Sequence, residues 1–426
     1  PGGPMDSGRY QGEDLDTTSI DRECWAFGVG TPRVSPEALQ ALEDSACPGA
    51  GSCALLGTAN TMQCLTEALG LALPGAGTAL ATSARRLWIA KESGRQIVRL
   101  WENGIKATDI LTERSLKNAI HVLHAIGGST NAIVHLLALA YELGLEDEIN
   151  LSLMETLGAK TPCIADVRPS GPYTMRDFDE AGGIPAVMKA IESRLDVTVP
   201  TVTGRSLGEN LKEIPFPRSP VIRDLKNPVA RSGLAVLRGS LCDSAVVRPT
   251  VIPPEMQTHE GPAVVFDGQE EAIEGIREGR VRPGDVVVVR YEGPRGGPGL
   301  TEVFKVIGYM KARGLEKDCA LITDGKISGF AQGPFICQVC PEAALGSPLA
   351  LVRDGDRIAI DIPNRSLDLR VDPEELTRRK ESWSPPRPRV TRGFLTLYTR
   401  LGLPATRGAG LALSLEEPNS KVEAHA

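Results

Sequence analysis

A chain of 426 residues, 41% apolar and 24% charged, has the make-up of a globular protein with room for two or three cored domains. A formal net charge of −7 and only 4% aromatics argue against a nucleic-acid binder, which needs a basic stripe and stacking rings. The most apolar stretch, AIVHLLALAYELGL at 132–145, still carries a His, a Tyr and a Glu, so no membrane span is read there.

In chain order, PGGPM opens the sequence without an initiator Met and without a charged-then-apolar leader, so secretion has no support. The cysteines at 24, 47, 53, 64, 163, 242, 319, 337 and 340 are too dispersed for a disulfide scaffold. They read as reduced thiols with at most one metal or redox site, in the cytoplasm or an organelle matrix. The first 200 residues read mostly as helices joined by Gly-rich loops. In TERSLKNAIHVLHAIGG, Leu116, Ile120 and Leu123 recur at helical spacing, and Gly127-Gly128 stops the helix. Ser129 or Thr130 then caps a second helix over NAIVHLLALAYELG, and AGGIPAVMKAIESRL predicts a third. The aperiodic, proline-rich stretch 205–233 marks a domain boundary. Beyond it, PAVVF, QEEAIEGIREG, DVVVVR, a Gly/Pro loop, a helix and CALIT predict βαβ units in a parallel or mixed sheet. ALV, RIAIDI and SLDLRV follow as short strands of a small barrel or curled sheet. A charged helix near EELTRRKESW, a linker SPPRPR, a last helical segment and a frayed tail from about Glu416 complete the chain. The expected domains are 1–215, 216–385 and a helical tail 386–426.

Several residues could carry chemistry. Cys53 lies in CPGAGSCALLGTANTM at a helix start, where backbone N–H groups favour a thiolate; a small packing residue is the competing reading. Cys337 and Cys340 form CQVC, half of a zinc or redox site with no second pair, and read better as packed thiols. His121 and His124, one turn apart, read as helix-packing residues. RYEGPRGGPGLTE at 290–302 lets backbone approach a ligand but lacks the Gly-Lys-Ser/Thr of a phosphate loop. Glu302 at its end and Ser328 in CALITDGKISG both lie beyond strand ends, where ligands of α/β sheets gather.

Taken in order, GSC with GTANTM and EALGLALPG, HAIGGSTNA, VRPSGPYTMRDFDEAGGIPAVM and TVTGRSLGENL resemble the dihydroxy-acid and sugar-acid dehydratase family. So do GPAVVFDGQEEA, PGDVVVVRYEGPRGGPGLTE, LITDGKISG, PEAA, LVRDGDRIAIDIPNRSLDL and TRGF, and the resemblance runs from about residue 8 to residue 410. It implies an α/β fold: a helical and α/β N-terminal domain and a swivelling β-rich, barrel-like C-terminal domain. The implied reaction removes water from a 2,3-dihydroxy carboxylate to give a 2-keto acid. An iron–sulfur cluster, two-iron in preference to four-iron, and Mg²⁺ are the implied cofactors. Residue by residue, Cys53 matches a cluster cysteine, Glu302 a magnesium-ligating glutamate and Ser328 the serine that takes the C2 proton. Ser129 and Thr130 are candidates to meet the substrate carboxylate beside a helix N-terminus. A homodimer with neither nucleic acid nor membrane as partner is the implied assembly.

The departures matter as well. The family's other cluster cysteines, a magnesium-binding Asp and a carbamylated Lys lie upstream of the matched segment. The expectation is therefore a longer natural protein, in preference to an inactive relative kept for assembly or regulation. Ala54-Leu55-Leu56-Gly57 stand where branched-chain members usually have Gly-Gly-Met-Tyr; Gly57-Thr58-Ala59, the opening GGPM and Leu241-Cys242 look like sugar-acid members, whereas RYEGPRGGPG, ITDG and DIPNRSLDL look like the branched-chain type. The substrate stays open between these two.

Overall fold

The computed structural model describes residues 1–413, apart from the Arg22 side chain; the expected tail from Glu416 lies outside the described residues. Its N-terminal half is helical around one buried rod, with a short hairpin of β1 (Gly8–Tyr10) and β2 (Glu13–Leu15) near the start. The rod is the Glu113–Ile126 helix, opened by a capping box between Thr112 and Ser115 and closed by Gly127 at φ 57°. Leu116, Ile120 and Leu123 do share a face, but Ala119, Val122, Ala125 and Ile126 are buried too. Such a helix is enclosed on all sides and not laid on a surface.

The C-terminal half is a closed eight-stranded barrel. Its strands are β3 (Ala235–Gly239), β4 (Cys242–Val247), β5 (Thr258–Phe266), β6 (Val286–Val289), β7 (Ala320–Thr323), β8 (Phe335–Cys340), β9 (Arg357–Asp361) and β10 (Ser366–Arg370), in the order β10-β3-β4-β8-β7-β6-β5-β9. From β5 to β8 the pairing is parallel, with the Gln269–Arg277 and Phe304–Ala312 helices as crossovers. Parallel strands covered on both faces need apolar residues throughout, which VVVV of β6 supplies. Val286 and Val288 pack inside the barrel, whereas Val287 and Val289 join the core shared with the helical half.

One expectation fails locally. ALV is not a strand: Ser347 and Pro348 start a short helix, Pro348–Leu351, because a proline at the first helical position loses no intrahelical hydrogen bond. CQVC packs as read, as a pair of buried thiols. Cys337 and Cys340 are buried in β8, with Gln338 at φ 54° beside a bulge against β4, and burial pushes both thiols up to about 12.

The halves meet at several places. Trp25 of the Thr17–Gly28 helix lies against Tyr309 of the Phe304–Ala312 crossover, ring centroids 4.9 Å apart. The carboxyl ends of β6 and β7 carry the loops 290–302 and 324–334 toward the helical half.

Candidate functional site

The Cys53 loop is shaped by one asparagine. Asn60, 1% exposed on the Thr58–Ala68 helix, donates to the carbonyls of Cys53 (2.5 Å) and Leu55 (2.7 Å), while its Oδ1 accepts from Ser52 Oγ (2.6 Å). This folds the loop over the helix start and leaves the Cys53 side chain half-buried. Cys47 follows the Pro36–Ala46 helix and is exposed; partial burial, then the neighbouring Cys53, raise its thiol pKa.

Loop 290–302 is held from inside by carboxylates that accept backbone N–H groups. Asp324 takes those of Tyr291 (3.2 Å), Glu292 (2.9 Å) and Ala343 (2.9 Å); Glu342 takes those of Arg295 (3.0 Å) and Gly296 (2.9 Å). Burial raises Asp324 to about 6 and Glu342 to about 7 despite these donors. The loop ends in a bridge between Glu302 and Lys326, which places the two side chains together.

Glu302 is the centre of the cluster. Its Oε2 accepts from Asn131 Nδ2 (3.0 Å) and lies 3.4 Å from Lys326 Nζ. Among the described residues, its Oε1 and Asn131 Oδ1 are buried without a hydrogen-bond partner. Burial raises the carboxyl pKa, and Lys326 and Asn131 pull it back. Asn131 also donates to Thr58 Oγ1 (3.1 Å), whose hydroxyl is 2.9 Å from Ser129 Oγ. One chain of polar contacts thus runs from the Cys53 loop, through the Thr58–Ala68 helix, to the barrel loops. A cavity of about 560 Å³ opens beside it, lined by Asn131, His135, Thr301, Lys326 and Tyr398 among others.

Ser328 sits on the 324–334 loop. Its carbonyl accepts from Ala331 N (3.1 Å), and its hydroxyl makes no hydrogen bond among the described residues. The next residue touches the helical half: a Cβ on Gly329 would lie 2.8 Å from Ser129 Cβ and 3.0 Å from the Gly57 carbonyl carbon. Arg248, 5% exposed, clamps this loop by donating to Gly329 O (2.7 Å) and Ser170 Oγ (2.9 Å). Burial lowers its guanidinium to about 10. Gly329→Ala is accordingly expected to prise the two loops apart. Turnover should fall about 10- to 100-fold for a stability loss of about 1–3 kcal/mol in a urea titration.

Ser129 and Thr130 are both buried. Ser129 Oγ bonds Thr58 and accepts the Asn131 N–H (3.2 Å), so it, and not Thr130, caps the Asn131–Glu142 helix. The Thr130 hydroxyl is donated to Ile327 O (3.3 Å), and its carbonyl accepts from Gln338 Nε2 (3.0 Å). What these two residues do in the structure is tie the halves together behind the site. His121 and His124 pack as expected: burial lowers both to about 4, and they bond Thr161 Oγ1 (2.7 Å) and Met154 O (3.0 Å) respectively.

Sequence reasoning missed Asn131, Lys326, Asp324, Glu342 and Arg248. Asp324 alone had a usable signal, an acid directly after a buried strand. Among the described residues, no three His, Cys, Asp or Glu side chains are grouped to hold a metal ion. Two orphaned oxygens, Glu302 Oε1 and Asn131 Oδ1, are nonetheless the hard donors a magnesium ion prefers. For an iron–sulfur cluster the described residues offer one placed thiol, Cys53, which does not make a cluster site.

Two family profiles match the chain: the dihydroxy-acid/6-phosphogluconate dehydratase N-terminal domain over residues 1–210 and its C-terminal domain over residues 220–409. The chain is 47% identical over 416 residues to a dihydroxy-acid dehydratase of Methanothrix thermoacetophila, covering 96% of this chain and 74% of that protein. To a dihydroxy-acid dehydratase of Moorella thermoacetica it is 45% identical over 414 residues, with the same coverages. Dihydroxy-acid dehydratase 1 of Methanosarcina acetivorans is 46% identical over 405 residues, covering 94% of this chain and 72% of that protein.

Proposed function

The chain belongs to the dihydroxy-acid/6-phosphogluconate dehydratase family, and from that premise we propose that it is a hydro-lyase converting a 2,3-dihydroxy carboxylate into a 2-keto acid. The observation that carries this reading is the polar chain from the Cys53 loop through Thr58, Ser129 and Asn131 to Glu302 and Lys326. It joins residues far apart in the sequence, from Thr58 to Lys326, in one polar cluster, which supports this reading.

In this reading the Ser328 oxygen, as alkoxide, takes the C2 proton, and the C3 hydroxyl leaves as hydroxide, which takes up that proton from Ser328 to become water and restores the alkoxide. The resulting enol tautomerises to the ketone, so the carbon skeleton is unchanged and one water is lost. Glu302 and Asn131 would hold Mg²⁺ through their free oxygens, and the bound ion would neutralise charge at the carboxylate end of the substrate. Lys326 stands beside Glu302 as a second positive charge, able to balance an anionic substrate. The resemblance assigns Cys53 to an iron–sulfur cluster; with a single placed thiol, no step is derived through it. Keto-acid formation from dihydroxyisovalerate, compared with arabinonate and xylonate, tests the reading. Product from the first alone supports the branched-chain type, product from the sugar acids the other, and an inert protein sinks the proposal.

The homodimer expected from the resemblance has a candidate surface on the Ala84–Glu102 helix. Leu87, Trp88, Ile97, Val98 and Trp101 are 50–80% exposed there, and Gly94 leaves open space at the middle of the stripe. An antiparallel pair crossing at Gly94 would bury roughly 450–750 Å² on the four indoles of two copies. With the three aliphatic residues, it would approach the roughly 1,200 Å² of a specific interface. Trp101→Glu should turn the dimer into a monomer in light scattering; an unchanged mass would remove this face from the assembly. No helix among the described residues is long and apolar enough to cross a membrane.

A further inference from the structure

On the far side of the helical rod from the Cys53 loop, a second cavity of about 410 Å³ separates the Leu151–Ala159 helix from the barrel. Its floor is apolar and buried: Ile133, Met154, Leu234 and Val236. Its rim carries Ser152, Thr156 and Arg365, the last in the turn between β9 and β10. Arg365 has φ 61°, a left-handed conformation that favours glycine, yet the position holds a long cationic side chain.

The charges around this cavity do not cancel. Glu155 on the wall is paired with Arg238 at 2.6 Å. The Arg365 guanidinium feels Glu155 only at a distance and forms neither a hydrogen bond nor an ion pair among the described residues, while its backbone bonds Ile362 O and Arg238 N. His124 adds no charge near neutral pH, because full burial lowers its pKa to about 4 even with Ser232 Oγ (3.1 Å) and Met154 O (3.0 Å) beside its ring nitrogens. The site therefore offers one free guanidinium over an aliphatic floor, with hydroxyls at the edge. A guanidinium fork matches a carboxylate in shape and charge. The volume falls in the range of small-molecule sites, roughly 300–1,000 Å³.

We propose that this cavity binds a small aliphatic carboxylate, its anion on Arg365 and its alkyl chain on Ile133, Leu234 and Val236. An occupant would touch both halves of the molecule. It would also press on Ile133, two residues along the helix that begins with Asn131 of the candidate catalytic cluster. Ligand at this cavity and chemistry at Glu302 are therefore mechanically neighbours, although the two sites share no side chain.

Calorimetric titration with isovalerate, a branched carboxylate without the hydroxyls of a dehydratase substrate, tests the assignment. The expected result is saturable binding, weakened about 10- to 100-fold in both Arg365→Gly and Arg365→Gln and at least 10-fold weaker for uncharged isoamyl alcohol. The glycine variant also relaxes the left-handed backbone, so its melting temperature should equal or exceed that of the parent. Binding to Glu302→Gln should match binding to the parent. The assignment is overturned by no binding at about 20 mM isovalerate, or by unchanged affinity in both Arg365 variants. It is equally overturned if binding disappears in Glu302→Gln, which would place the ligand in the candidate active site and leave the dehydratase reading intact.

Discussion

Ser328→Ala should reduce keto-acid formation by about 10²–10⁴-fold, the usual worth of a positioned proton-transfer group. The fold around it should be unchanged. The reason lies in how its hydroxyl differs from its neighbours'. Ser129 and Thr130 spend theirs on Thr58, the Asn131 N–H and Ile327 O. The Ser328 hydroxyl is committed to nothing among the described residues, yet its backbone is fixed before it by Thr130 at Ile327 O and after it by Ala331 N and, through Gly329, by Arg248. A fixed backbone with a free side-chain oxygen is what proton abstraction requires, and removing that oxygen leaves no packing hole. Urea midpoints of the variant and its parent should therefore agree within about 0.5 kcal/mol. Substantial residual turnover, above about a tenth of the parent's, would mean another group takes the C2 proton. Lost activity together with lost stability would mean the residue is structural.

Much of this arrangement was legible in the sequence, for local reasons. The Glu113–Ile126 helix declared itself through Leu116, Ile120 and Leu123 with Gly127 as stop, and β6 through an unbroken valine run. Glu302 and Ser328 stood out because each follows a buried strand. The barrel was harder to read because β3, β4 and β8 are short and interrupted: CDSAVV begins with polar residues, and FICQVC bends at Gln338. ALV misled because apolar residues in a run of three carry no period, and Pro348 then decided for a helix.

The least legible residues are those whose meaning is tertiary. Asn131 reads as a polar residue at a helix start until it is found bonded to Glu302, 171 positions away in sequence. Arg248 reads as the end of a strand until its guanidinium is seen buried between Gly329 and Ser170. Asp324 and Glu342 supply no visible chemistry, yet their hold on the N–H groups of loop 290–302 helps the bridge to Lys326 set where Glu302 sits. In such a site the sequence shows which residues can react. Only the packing shows which residues place them.

That dependence makes Glu302→Gln the sharper test of the metal reading. Glutamine has the same shape and can still accept from Asn131 Nδ2, so the substitution removes a charge while retaining the hydrogen bond. Lys326 then loses its carboxylate partner and Asn131 Oδ1 keeps its unmet valence. Divalent-cation affinity should drop, with turnover at fixed Mg²⁺ down about 10²–10³-fold, in line with the several kcal/mol a metal contributes to charge stabilisation. Raising Mg²⁺ should recover part of it. The pH dependence has a definite sign. Burial raises the Glu302 pKa above its ordinary value, and only the ionised carboxylate binds a cation. In the parent, Mg²⁺ affinity should therefore be complete at high pH and decline on acidification sooner than for an exposed glutamate. Glu302→Gln should lose that limb of the pH profile along with the affinity. If the variant binds Mg²⁺ as tightly as the parent, with the same acid limb, Glu302 is not a metal ligand. Its place beside Lys326 would then be that of a partly buried ion pair, and the variant, which leaves the Lys326 charge without its partner, should lose stability instead.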